Sequence, residues 1–441
     1  MLKGLSSSSI QNRMKIILVN YRYFISGGPE RYLFNIKDLL EKNGHTVHPF
    51  SVRHKLNVPC ECQRHFVSPI GKGDITYFSD SDKTNIRDIW KFFSRMFFSL
   101  EVRRKFKDLV LEKKPDLVYV LHYQNKLSPS FIGMAKKMNL PVVQRVSDFG
   151  HICANQLFYN YRDSKPCELC LKGSKLNAVR LRCVYNSRVY SLIKIAALKF
   201  HEIIGITKKI DAFIIPSKFT ASKLLAFGIP GSKLIHIPSF FADPGSDEGS
   251  WKDEIKYGDF ALFVGRIEEE KGVMTLVKAF VDTEMPLKII GYSSTDYDMK
   301  LKEFLKGKAH KIEFLGKQPF DQIREYLKKC AFTVCPSECY DNFPNSIIES
   351  FAFQKAVICT NLGSLKEMVE HNRTGLLYEP YDYNQLRECC SSLLFNRAES
   401  KRMGMAGRNM IDNELSGTNH YIALMSVFEK LALNYSGISR N

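Results

Sequence analysis

FALFVGRIEEEKGVMTLVKAFVDTEMPLKIIG, residues 260–291, decides the fold class. An apolar run ends at Gly265, a charged loop follows, a helix-length stretch comes next, and a second apolar run closes at 287–291. Short apolar strands alternating with helices build a parallel sheet covered on both faces. Three more such runs lie C-terminal to it: KIEFLG (311–316), FTVCPS (332–337) and AVICTN (356–361). N-terminal to it the pattern starts with KIILVN (15–20), a Gly-Gly turn, a helical stretch through Leu40 and a strand-like run near 46–52. It continues with PDLVYVLH (115–122), a helix to Lys137, LPVVQRVSDF (140–149) and DAFIIPS (211–217).

The two sets are separated by FADPGSDEGSWKDEIKYG (241–258), whose Gly, Asp, Ser and Pro content reads as a linker. A chain of 441 residues also exceeds what one core organises. The expectation is an α/β protein of two tandem doubly wound, Rossmann-like domains, 1–240 and 259–412, facing across a cleft. A C-terminal helix, 413–441, returns to the first domain. Ligands bind at the carboxyl ends of the strands of such sheets.

Hydrophobic residues make up 44% and charged residues 25%, which excludes a disordered or fibrous chain. The net charge of +18 is unevenly spread: residues 1–240 hold 39 Lys and Arg against 17 Asp and Glu, and the remainder 25 against 29. A basic first half suits an anionic partner, whether nucleic acid, a membrane surface or a phosphorylated lipid. A nucleic-acid partner is not expected, because no recognition module is present. With no long apolar run and no apolar core in the opening residues, the expected location is the cytoplasm, peripheral at the inner face of the plasma membrane. In that reducing compartment the twelve cysteines are thiols or metal ligands rather than disulfides.

Arg266 and Lys271 follow the strand end at Gly265, where a guanidinium grips two phosphate oxygens and an ammonium supplies a point charge. A solvated loop neutralised by Glu268, Glu269 and Glu270 is the plain alternative. In SECYDNFPNSIIESF, Pro344 opens a helix that holds Glu349, with Asp341 eight residues earlier in the preceding loop. A carboxylate so placed accepts hydrogen bonds from ribose hydroxyls while the amides of Asn345 and Ser346 face a phosphate. An acidic helix start favoured by the dipole reads the same way. In FISGGPERYLF (24–34), Gly27 and Gly28 precede Pro29, which admits a diphosphate against the backbone or a simple tight turn.

Cys153, Cys167, Cys170 and Cys183 form C-x13-C-x2-C-x12-C in a basic insertion, a spacing compatible with structural zinc and equally with four unlinked thiols. Two D-x-D pairs, Asp80 with Asp82 and Asp296 with Asp298, read as solvated loop acids. IWKFFSRMFFSLEVRRKFKD (89–108) reads as a basic amphipathic helix, core-packing toward its end, its aromatic start open to a membrane.

GRIEEEKG, D-x7-E, G-x3-E (363–367) and TGLL (374–377), with GGPER upstream, resemble glycosyltransferase family 4 over nearly the whole chain. The resemblance implies the two-domain GT-B fold and transfer of a hexosyl group, with retention, from a nucleotide-diphosphate sugar. It implies a polyprenyl-diphosphate-linked or other glycan acceptor in capsule or lipopolysaccharide assembly, and no cofactor for the chemistry. Arg266 and Lys271 would bind the donor diphosphate and Glu349 the ribose. The chain departs from the pattern at Asp341, where the family more often has Glu, and at Ser147, where many members have His. Asp148 and His151 are the nearest replacements, and His122 at the end of VYVL stands where a cleft residue would. Rival readings are an epimerase, elongation of a soluble glucan, or a catalytically silent partner subunit.

Overall fold

The computed structural model describes residues 13–71, 86–242 and 255–438. The first eight strands are β1 (Lys15–Asn20), β2 (Thr46–Phe50), β3 (Leu117–His122), β4 (Val142–Arg145), β5 (Tyr159–Asn160), β6 (Lys165–Pro166), β7 (Ala212–Ile215) and β8 (Leu234–His236). Six form one sheet in the order β2-β1-β3-β4-β7-β8, while β5 and β6 pair antiparallel by themselves. The remaining strands are β9 (Ala261–Val264), β10 (Pro286–Ile290), β11 (Lys311–Gly316), β12 (Phe332–Cys335), β13 (Ala356–Thr360) and β14 (Gly375–Tyr378). Their sheet runs β11-β10-β9-β12-β13-β14 with parallel pairing throughout. The expected α/β class with two Rossmann-like sheets is what the chain forms.

The strands are apolar on both sides because both faces are covered. In the second sheet Phe263, Ile289 and Ile358 join one core with Leu276 and Phe280. Their chain neighbours Leu262, Ile290 and Val357 join the opposite core with Ile347 and Phe351. Each such side chain contributes roughly 1.5–3 kcal/mol of burial.

The residues group into two compact units: Met1–Arg145 with Ile204–Ala212 and Met425–Asn441, and Val146–Ile203 with Phe213–Leu424. The C-terminal helix Gly417–Ile438 thus ends in the first unit, as expected of a returning helix. There the Phe428 ring meets Tyr119 at 5.2 Å, and the Tyr435 hydroxyl donates to Asp211 at 2.8 Å.

The single helix read at 89–108 is two, Ile86–Met96 and Leu100–Lys113. Ser99 separates them: its hydroxyl accepts from the Val102 amide, a local N-cap that competes with continuing the first helix. Phe92 and Phe106 are buried, while Ile86 and Trp90 are 82% and 74% exposed. Most of the linker read at 241–258, together with Asp80 and Asp82, lies outside the described residues. Asp298 accepts from Lys302 at 3.0 Å on its own helix.

Candidate functional site

The order of the second sheet reverses between β9 and β12, the topological switch point at which doubly wound sheets bind ligands. Two loops leave the carboxyl ends of those adjacent strands. One follows β9 and carries Arg266 and Lys271; the other follows β12 and carries Asp341. They are stitched by the Glu338 amide donating to the Glu270 carbonyl at 2.9 Å. Gly272 makes the closeness possible. It ends the turn Glu269–Lys271 at φ +65, and a Cβ there would stand 1.9 Å from the Pro336 carbonyl oxygen.

Lys271 Nζ lies 2.5 Å from Asp341 Oδ1, and Asp341 Oδ2 accepts from the Ser337 hydroxyl at 2.5 Å. Burial opposes both charges. The Asp341 carboxylate nevertheless raises the Lys271 pKa above its ordinary value, and Lys271, Ser337 and Arg266 hold the Asp341 carboxyl below the ordinary range. Arg266 Nη2 pairs with Glu270 at 2.9 Å. Burial lowers its pKa, and Glu270, Asp341 and Glu268 more than restore it. Both cations and the carboxylate therefore share one electrostatic neighbourhood. Phe343, two residues past Asp341, has φ 126, a costly conformation for a bulky residue.

The helix Asn345–Ala352 begins after Pro344, and its N-terminus carries no side-chain cap. Asn345 and Ser346 are its first residues, and Glu349 is buried within it at 6% exposure. Thr275 donates to Glu338 at 2.6 Å, and burial pushes that carboxyl up to about 7. Glu367 of the G-x3-E motif is engaged elsewhere: its two oxygens accept the Lys218 and Phe219 amides at 2.8 and 2.6 Å. It caps the helix Lys218–Ala226.

Asp148 follows β4, and its Oδ1 accepts the Gly150 amide at 2.7 Å. Burial lowers His151 to about 4 and Lys194 to about 8, while Asp148 raises both, so the three share a polar cluster, whose Lys194 no local pattern marks. In the first unit His122 ends β3, its carbonyl accepts the Tyr21 amide at 2.9 Å, and its ring meets Tyr21 edge-on. Gly27 and Gly28 open the helix Gly28–Lys42. Gly27 has extended backbone and room for a Cβ, so no steric need fixes glycine there. Glu30 in the first turn is buried, accepts from Ser26 at 2.9 Å and lies 3.8 Å from Arg22.

Cys153, Cys167, Cys170 and Cys183 are free thiols. Burial raises Cys170 to about 11 and Cys183 to about 12, with the other thiols adding to the shift, so the insertion gathers all four. Among the described residues, however, no group of three or more His, Cys, Asp or Glu could hold a metal ion. The Cys153 thiol turns to Asn155 Oδ1 at 3.0 Å and Cys170 to the Lys175 carbonyl at 3.8 Å, while Cys170 and Cys183 pack against Ala178, Ile195 and Leu198. The four thiols thus lie together in the insertion, an arrangement that both readings of their spacing share.

Spacing also missed a set of contacts around these loops. Glu168 accepts Tyr340, Thr220 donates to Asn342, and Ser164 donates to Glu269. The partners are 172, 122 and 105 residues apart, beyond any local signal.

Comparison with known proteins places the chain. Residues 26–241 match the model for Glycosyltransferase Family 4, and residues 249–410 match that for Glycosyl transferases group 1. An uncharacterized glycosyltransferase of Methanocaldococcus jannaschii is 32% identical over 41% of this chain and 51% of its own. The capsular polysaccharide biosynthesis glycosyltransferase CapM of Staphylococcus aureus is 25% identical over 54% and 64%. The chain thus spans roughly half to two thirds of these two relatives. Anabaena HepE in complex with UDP and glucose superposes with a TM-score of 0.62 at 14% identity, covering 95% of this chain and 100% of that one. Its likeness bears on the fold alone.

Two parallel Rossmann-like sheets, the second with charged loops at its switch point, define a two-domain α/β architecture of the GT-B type. The chain belongs to the glycosyltransferase family 4-like proteins.

Proposed function

We propose that the chain moves a hexosyl group, with retention, from a nucleotide-diphosphate sugar to a membrane-associated glycolipid or polysaccharide precursor. The observation that carries this reading is the Lys271–Asp341 pair beside Arg266 at the β9/β12 switch point. Two cations held at the carboxyl ends of parallel strands suit a departing diphosphate, whose negative charge grows as the glycosyl bond breaks. The start of the helix Asn345–Ala352, with Asn345 and Ser346 as its first residues, is an end at which the helix dipole favours phosphate oxygens. Glu349 accepts the ribose hydroxyls, Asp341 steadies the glycosyl end, and Asp148 and His122 serve the acceptor side. The capsular role of CapM agrees with this product class.

The acceptor is proposed to carry a polyprenyl diphosphate, with the first half of the chain peripheral at the inner face of the plasma membrane. The excess of 39 cationic over 17 anionic residues in 1–240 and the exposed Ile86 and Trp90 support a contact with an anionic surface. Among the described residues no helix is long and apolar enough to cross a membrane.

Calorimetric titration with UDP-, GDP- and ADP-sugars tests the site. One class is expected to bind the native chain, and Arg266→Ala should weaken it by on the order of tenfold or more, the loss of a bidentate phosphate contact. Equal affinity in Arg266→Ala and the native chain contradicts the assignment.

A further inference from the structure

Asp341 is bracketed by contacts that its own charge does not need. Lys271 and Ser337 already occupy both of its oxygens. Yet Tyr340, just before it, donates its hydroxyl to Glu168 at 3.0 Å, and Asn342, just after it, accepts from Thr220 at 2.7 Å. Neither partner comes from the segment that forms the second sheet. Glu168 lies between Cys167 and Cys170 in the cysteine-bearing insertion, and Thr220 lies on the helix Lys218–Ala226.

Glu168 is itself fixed. It accepts Lys223 at 2.6 Å, and the two side chains are only 13% and 16% exposed, so water screens the pair little. The Lys223 ammonium also lies 4.7 Å from the Phe219 ring and 5.5 Å from the Tyr340 ring. The β5–β6 hairpin treats the neighbouring loop alike, with Ser164 and Tyr159 donating to Glu269 at 2.6 and 3.4 Å. A loop that holds Phe343 at φ 126 stores strain, and strain persists only where surrounding structure over-determines the backbone. The insertion supplies that restraint.

We propose that Glu168 is a positioning residue of the donor site: through Tyr340 it holds Asp341 in register with the glycosyl end of the bound donor. The nucleoside diphosphate is held separately, by Arg266 and Lys271. The inference rests on the donor-site reading above. It gives the insertion a role in turnover that a purely structural loop lacks.

The test compares Glu168→Gln, Tyr340→Phe and their double variant with the native chain. It measures kcat and KM for the sugar donor and, separately, the affinity for the bare nucleoside diphosphate. Each single variant is expected to lose kcat by about tenfold, a coupling typical of residues in one hydrogen-bonded unit. The double variant should lose no more than either single, and diphosphate affinity should not change. Unchanged kcat in both single variants overturns the inference alone, as does a loss that multiplies in the double variant or a parallel fall in diphosphate affinity. A native chain that binds no nucleoside diphosphate overturns the donor-site reading and this inference with it.

Discussion

Lys271 and Asp341 each restore to the other the charge that burial opposes. Their side chains are 18% and 15% exposed, so replacing Lys271 by Met leaves a carboxylate largely out of water with the Ser337 hydroxyl, the weakly donating Cys339 thiol and Arg266 to steady it. Breaking such a pair costs about 3–5 kcal/mol. Lys271→Met should therefore lower the urea midpoint substantially at pH 7. The sign with pH follows from the direction of the shift. The Asp341 carboxyl is held below its ordinary value of 3.8, so its stabilisation is complete above about pH 4. It is lost as pH falls through the lowered folded value. In the variant that carboxyl protonates more readily, so the stability gap between variant and native chain should narrow on acidification. A gap that stays constant as the pH is taken from 7 to below 3.8 contradicts the pairing.

At the scale of elements, the strands that carry the site were legible and the elements that brace it were not. FALFVG, FTVCPS and AVICTN are apolar on both faces, and they became β9, β12 and β13. β8 was not read as a strand: it is three residues long with partly exposed side chains, so no apolar run marks it. The β5–β6 hairpin has two residues per strand and is held by contacts to Glu269 rather than by its own pattern. Asp341 and Glu349 showed in spacing as acids flanking a helix start. Glu168, Thr220 and Tyr340 did not, because a contact across more than a hundred residues leaves no local trace. The turn that separates Lys271 from its helix makes its own prediction. Gly272→Ala places a Cβ 1.9 Å from the Pro336 oxygen at a left-handed φ, so the β9 and β12 loops must part. Thermal denaturation should show a loss of about 1–3 kcal/mol, with donor affinity falling alongside it. A variant with native stability and affinity contradicts the close approach of the two loops.

For the whole molecule, chemistry and charge are divided along the chain. The β9 and β12 loops sit in a C-terminal portion with 29 acidic against 25 basic residues, and the cationic excess lies wholly within 1–240. A diphosphate-linked lipid acceptor fits that division, since its head group and the surface around it are both anionic. Attraction of this kind is screened within roughly 8 Å at physiological ionic strength, so encounter with the acceptor should weaken as salt rises. The measurement that tests the central claim most directly is transfer of labelled sugar from a nucleotide-diphosphate donor to a polyprenyl-diphosphate glycolipid in anionic vesicles. The account predicts label in the lipid, nucleoside diphosphate released only when that acceptor is present, and a rate that falls with added salt. Release that is equally fast without acceptor, or label that never leaves the nucleotide, would contradict it.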